Sequence, residues 1–132
     1  MMVEVGFRRG DVTIKLGQLA EALVRLARFV VAIRLHCEDL SVERGMRIFR
    51  DEAFLEEPPA RREAERGTFD PTYLVYSAGK LMMLKLRRDY KDRQAGKFSV
   101  RGFHDALLAQ GNAPFWAHRS LLFDDASDTV LE

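Results

Sequence analysis

The chain is poor in the residues that make small proteins either rigid or reactive. Among its 132 residues there is one cysteine, Cys37. No disulfide can therefore close within the chain, and a reducing compartment, the cytoplasm, is the expected location. Histidine occurs three times, as His36, His104 and His118, and never in the His-Glu-x-x-His spacing that turns two imidazoles to one side of a helix. In His36-Cys37 the neighbouring side chains diverge by about 100° on a helix, so they cannot grip one ion together. No metal site and no cofactor are expected from this chain alone. The nine glycines are scattered and form neither a dinucleotide-binding nor a phosphate-binding loop. No Gly-x-Ser-x-Gly elbow occurs, and Cys37 has no activating neighbour beyond His36. No catalytic residue is assigned.

Long apolar runs are missing too. The most apolar stretch, Leu19 to Leu35, is interrupted by Glu21, Arg25, Arg28 and Arg34, charges that hydrocarbon would not accept, so no membrane partner is expected. The opening MMVEVGFRRGD lacks the apolar core of an export signal. Charge of one sign is also scarce: the net charge is +1, which steers the molecule to neither nucleic acid nor membrane. Locally the balance shifts. Lys80, Lys85, Arg87, Arg88, Lys91, Arg93, Lys97 and Arg101 stand against only Asp89 and Asp92, whereas Asp124, Asp125, Asp128 and Glu132 form an acidic end. A basic run of this kind reads first as a solvated helix face. Nucleic-acid binding through residues 80–101 is a distant alternative, since no helix-turn-helix pattern accompanies the run.

What the sequence does have is helix. Hydrophobic residues make up 47% and charged residues 31%, an ordinary globular balance. From about Thr13 to His36, Leu19, Leu23, Leu26, Val30 and Ile33 recur at spacings of three and four, which predicts a long helix with that face buried. Ser41 is a cap for a second helix through Met46 and Phe49. Pro58-Pro59 opens a third, short and polar, which Gly67 should stop. Asp70-Pro71 starts another long helix, running to about Arg93, with Leu74, Ala78, Leu81, Met82 and Leu86 as its core face. Ser99 caps a helix ending at Gly111-Asn112, and Pro114 opens a last turn through Trp116. With no alternating strand pattern, the expectation is an all-α single domain over 1–132. It would be a compact bundle of about five helices, two of them long (13–36 and 71–93). Residues 1–12 would be a flexible lead and 124–132 an acidic tail.

Two rows of residues suggest chemistry. Tyr73, Tyr76, Lys80, Met83 and Arg87 fall on one side of the second long helix. Two phenols and two cations in line suit contact with a carboxylate or an oxyanion. The plainer reading, tyrosines at a core edge and solubilising cations, is the preferred one. On the first helix, Glu21, Arg25, Arg28, Ala32 and His36 share a side, as fitting for an arginine–glutamate pair that orders two helices as for a ligand site.

Three segments carry a resemblance. They are Leu26–Val31 running to His36, the stretch RGTFDPTYLVYSAGKLMMLKLRRDY (Arg66–Tyr90), and KFSVRGFHDALLAQGNAPF (Lys97–Phe115). Their most specific parts are Tyr76-x-x-Gly79-Lys80-Leu81 and Phe103-His104-Asp105. Over roughly Lys15 to Phe123 the chain resembles the C-terminal portion of the bacterial domain-of-unknown-function family 885, whose intact members are longer, helical and zincin-like, related to metallopeptidases. The resemblance implies an uncharacterised helical domain that is non-catalytic on its own, because the zinc-binding His-Glu-x-x-His helix of such proteins lies upstream of the matching region. It implies that Tyr76 lines a cleft, and that Arg28 and His36 pack behind one. The chain departs from the family where Ala32 and Arg34 replace an Asp and a Gly, and where Asp70-Pro71-Thr72-Tyr73 replaces Pro-Gly-Gln-Ala. A piece of a larger helical body should keep apolar surface, so the expected partners are a second copy, as an isologous dimer, or the family's N-terminal part.

Overall fold

The computed structural model describes residues 6–124 and 131, and every regular element among them is helical. The α-helices are α1 (Val12–Cys37), α2 (Val42–Asp51), α3 (Glu57–Phe69), α4 (Val75–Gln94), α5 (Val100–Leu108) and α6 (Phe115–Phe123). That is six among the described residues rather than about five, because the segment after Pro114 makes a full helix. Of the expected acidic tail, only Asp124 and Leu131 lie among the described residues. Of the expected lead, residues 1–5 fall outside them.

Local chemistry accounts for the limits. The Asp11 carboxylate accepts from the Thr13 and Ile14 amides at 3.0 and 3.3 Å and opens α1. Ser41 and Ser99 cap α2 and α5, accepting from the Arg44 and Gly102 amides. Asp70 caps a 3-10 turn over Pro71–Leu74 through the Thr72 amide, so the second long helix begins at Val75, four residues later than expected. Gly67 does not stop α3, which continues to Phe69. The glycine is there for contact: a Cβ on it would come within 2.8 Å of a Leu35 methyl, and the Tyr73 ring lies just beyond.

The chain divides into two compact units, residues 1–77 and 78–132. In the first, α1, α2, α3 and the 3-10 turn enclose Val31, Ala32, Met46, Phe49, Ala60, Ala64 and Tyr73. Ala60, Ala64 and Gly67, at spacings of four and three, give α3 a face of small residues that lets neighbouring side chains close on its backbone. In the second unit, Leu86 of α4 joins Phe103 and Leu107 of α5, with Phe115, Leu122 and Phe123 of α6 packed around them. Tyr90 meets the rings of Phe98, Phe103 and Phe123 at centroid separations of 5.5 to 6.5 Å. Of the core row expected on α4, Leu86 is buried while Leu81 is about half exposed.

The largest departure from expectation concerns α1. Leu19, Leu23, Leu26, Val30 and Ile33, expected to be its buried face, all point outward. The buried positions are Ala27, Val31 and Ala32, helped by Val24 and Leu35. The helix has two apolar faces, and the one built from smaller residues packs inward. A close approach to α2 and α3 favours short side chains, and the leucines are too long for it.

Phe54, in the loop after α2, is held in the left-handed region at φ 56° with 79% of its surface exposed. That conformation costs a side-chain-bearing residue roughly 1–2 kcal/mol. It serves to end α2, since it lets the Leu55 amide reach back to the Phe49 carbonyl at 3.2 Å. Because the ring gains little packing here, Phe54→Gly should stabilise the protein by about 0.5–1 kcal/mol after the extra freedom of unfolded glycine is subtracted, read by chemical denaturation.

Candidate functional site

Two features of the first unit stand out, one polar and one apolar. The polar one joins three segments. Arg28 of α1 donates from Nε and Nη2 to the two carboxylate oxygens of Glu63 on α3, each at 2.7 Å, a bidentate pair in a partly buried setting. The Tyr73 hydroxyl, from the 3-10 turn, donates to the same carboxylate. The guanidinium groups of Arg28 and Arg66 lie over the Tyr73 ring at 5.3 and 5.4 Å. Burial works to raise the Glu63 pKa, yet the bonds from Arg28 and Tyr73 and the charges of Arg28 and Arg66 prevail and hold it below the usual glutamate value. Burial, followed by the bond to Glu63, pushes the Tyr73 phenol far above its ordinary range. Beside this cluster, His36 Nε2 donates to the Gly67 carbonyl at 2.9 Å and ties the end of α1 to α3.

These contacts redistribute the residues singled out in the sequence. Tyr73 leaves the row it was expected to share with Tyr76, Lys80 and Arg87, because the 3-10 turn carries it ahead of α4 and its ring is buried. Tyr73 and Arg28, expected in separate groups, are brought together. Tyr76 and Lys80 lie exposed on α4, and Arg87 is half-buried. His118 is buried and bonded through Nδ1 to the Gln110 side chain at 2.8 Å. In the second unit Asp89 accepts from Lys85 at 2.8 Å and from Arg119. Burial opposes ionisation of Asp89, but both cations outweigh it and its pKa is lowered. Among the described residues, no three His, Cys, Asp or Glu side chains converge as a metal site would require.

The apolar feature is the outer face of α1. Val12, Leu16, Leu19, Leu23, Leu26, Val30 and Ile33 all remain exposed, with Leu16 at 64%, Leu19 at 54% and Leu26 at 52%. Beside the second half of this row, Leu23, Leu26, Ala27, Val30 and Arg34 of α1 face Ile48 and Glu52 of α2 across an open groove of ≈ 250 Å³. Isolated exposed leucines are ordinary on a protein surface, whereas a continuous line of seven makes an apolar strip along the helix. The first half of α1 is bare on nearly every side: of residues 12–21 only Ile14 is even half-buried.

Reading the sequence missed Glu63, which belongs to the helix expected only to be short and polar. The signal was the small-residue spacing of Ala60, Ala64 and Gly67, which places residue 63 on the inward side of α3. The lowered pKa sets its pH dependence. A depressed folded-state value gives stabilisation that is complete above the unfolded glutamate pKa of about 4.3, and that is lost as pH falls through the folded-state value. Glu63→Gln, which leaves Arg28 without a charged partner, should cost about 1–3 kcal/mol at neutral pH. Thermal melts between about pH 6 and 3 should show the wild type losing stability on acidification more steeply than the variant.

Neither the curated proteins nor the solved structures compared with this sequence give a match. A family model does, over residues 1–117, which takes in the whole first unit and the second as far as the start of α6. The chain belongs to the family described as bacterial protein of unknown function (DUF885).

Proposed function

We propose that this chain works by packing rather than by catalysis: it is a helical module, corresponding to the C-terminal portion of a zincin-like body, that binds through the outer face of α1. The observation that carries this reading is the unbroken line of seven exposed apolar side chains on that helix. Leaving such a line in water is unfavourable at roughly 25 cal/mol per Å², so covering it supplies a driving force for association. The polar cluster supports the same reading from the other side. Arg28, Glu63 and Tyr73 satisfy one another, and their geometry fixes the rotation of α1 rather than presenting groups to a substrate. Tyr76 and Lys80 stand exposed on α4 and remain the residues through which a ligand carboxylate would be met if the module contributes to a cleft in a larger assembly.

Metal analysis of the purified chain tests the reading. After incubation with zinc and exhaustive dialysis, the expected result is far less than one zinc per chain. One tightly held zinc per chain would overturn a packing role and return His36, His104 and His118 to consideration as ligands.

A further inference from the structure

The exposed row on α1 has a stricter order than a surface patch needs. Val12, Leu16, Leu19, Leu23, Leu26, Val30 and Ile33 alternate spacings of four and three without a break, and Cys37 continues the series. An α-helix turns every 3.6 residues, so a face that merely rests on a globular core tolerates drift of about 20° per seven residues. A sustained repeat of 3.5 is instead the order of a helix that meets another along its whole length, with the two winding round each other. No charged residue occupies the row. The positions flanking its middle are Ala20, Ala22, Ala27 and Phe29, with Lys15 and Arg34 as the flanking formal charges near the ends.

We infer that the occupant of this face is α1 of a second copy of the chain. This deepens the packing role proposed above and rests on it. Three observations select this occupant. First, the groove needs an amphipathic helix with an apolar 3.5-residue repeat, and α1 is such a helix. A self-complementary patch of this kind closes as a twofold pair in which each copy covers the other. Second, with so few charges beside the row, two copies meet with little like-charge repulsion. Third, the area suffices: seven side chains about half exposed offer on the order of 600 Å² per copy, hence about 1,200 Å² across the pair, the lower bound of a specific interface. The pairing also explains the bare first half of α1. Of residues 12–21 only Ile14 is even half-buried, and a second helix along the row gives that stretch a partner.

Sedimentation equilibrium of the full chain tests the inference, over a wide concentration range and beside two variants. Leu16→Lys replaces a side chain that is 64% exposed and stands outside the buried core of its unit, so the folding of that core does not depend on it. Leu121→Glu removes an exposed leucine of α6 and serves as the control. The expected result is twice the chain mass for wild type and for Leu121→Glu, and the single-chain mass for Leu16→Lys. Circular dichroism should confirm that Leu16→Lys remains mainly helical. A wild type that stays at single-chain mass would overturn the second-copy occupant, as would a dimer that Leu16→Lys leaves intact or that Leu121→Glu dissociates. A zinc-free single chain would leave the packing role standing, with the family's N-terminal part as the occupant. A zinc-loaded chain would remove that role itself.

Discussion

One ion pair locks the first helix in the direction that its small inward residues favour. Arg28 reaches Glu63 with two donors at once, and a bidentate bond of this kind tolerates little rotation of either helix. Successive residues on a helix are turned by about 100°, so fixing Arg28 inward carries Val24, Val31 and Leu35 inward with it and sends Leu26, Val30 and Ile33 to the far side. Tyr73 adds the third point by bonding the same carboxylate, so the 3-10 turn is held to α3 through the pair. The outward exposure of the leucine row is therefore built in by the interior of the unit.

The energetic logic of that interior is closeness rather than bulk. Ala27, Ala32, Ala60, Ala64 and Gly67 are small, and they let backbones approach until Leu35 and Tyr73 sit against the glycine. Large side chains, Phe49 and Met46 of α2, fill what remains. The second unit is made differently, from an aromatic group around Tyr90 and Phe103 and a charged trio of Lys85, Asp89 and Arg119. In each unit the arginine that pairs with the carboxylate also lies over an aromatic ring, Tyr73 for Arg28 and Phe123 for Arg119. Removing one partner of such a pair is destabilising, because it leaves a partly buried charge without its counterpart.

Much of the architecture was legible from the sequence, because it is set by local rules. Ser41, Asp70 and Ser99 cap helices as their side chains dictate, Gly96 follows the break after α4, and the absence of alternating patterns left only helix. Two kinds of information were not local. The direction of α1 could not be read because both of its faces are apolar, and the choice between them depends on Glu63, 35 residues away. Gly67 looked like a stop signal, since the same residue type serves to end helices and to admit a close neighbour, and only the position of Leu35 distinguishes the two. The row through Tyr73, Tyr76, Lys80 and Arg87 assumed one continuous α-helix. A single 3-10 turn was enough to remove its first member.

The open first half of α1 would tie conformation to abundance if its face is covered as inferred above. The segment would then gain order from its partner, and the fraction of molecules with it folded would rise with the partner's concentration by mass action. In a scarce chain the leucines would stand open to chaperones and proteases, which act on such segments. In a plentiful one they would be hidden. The survival of a molecule in a cell would then be coupled, through one side of one helix, to how many companions it has.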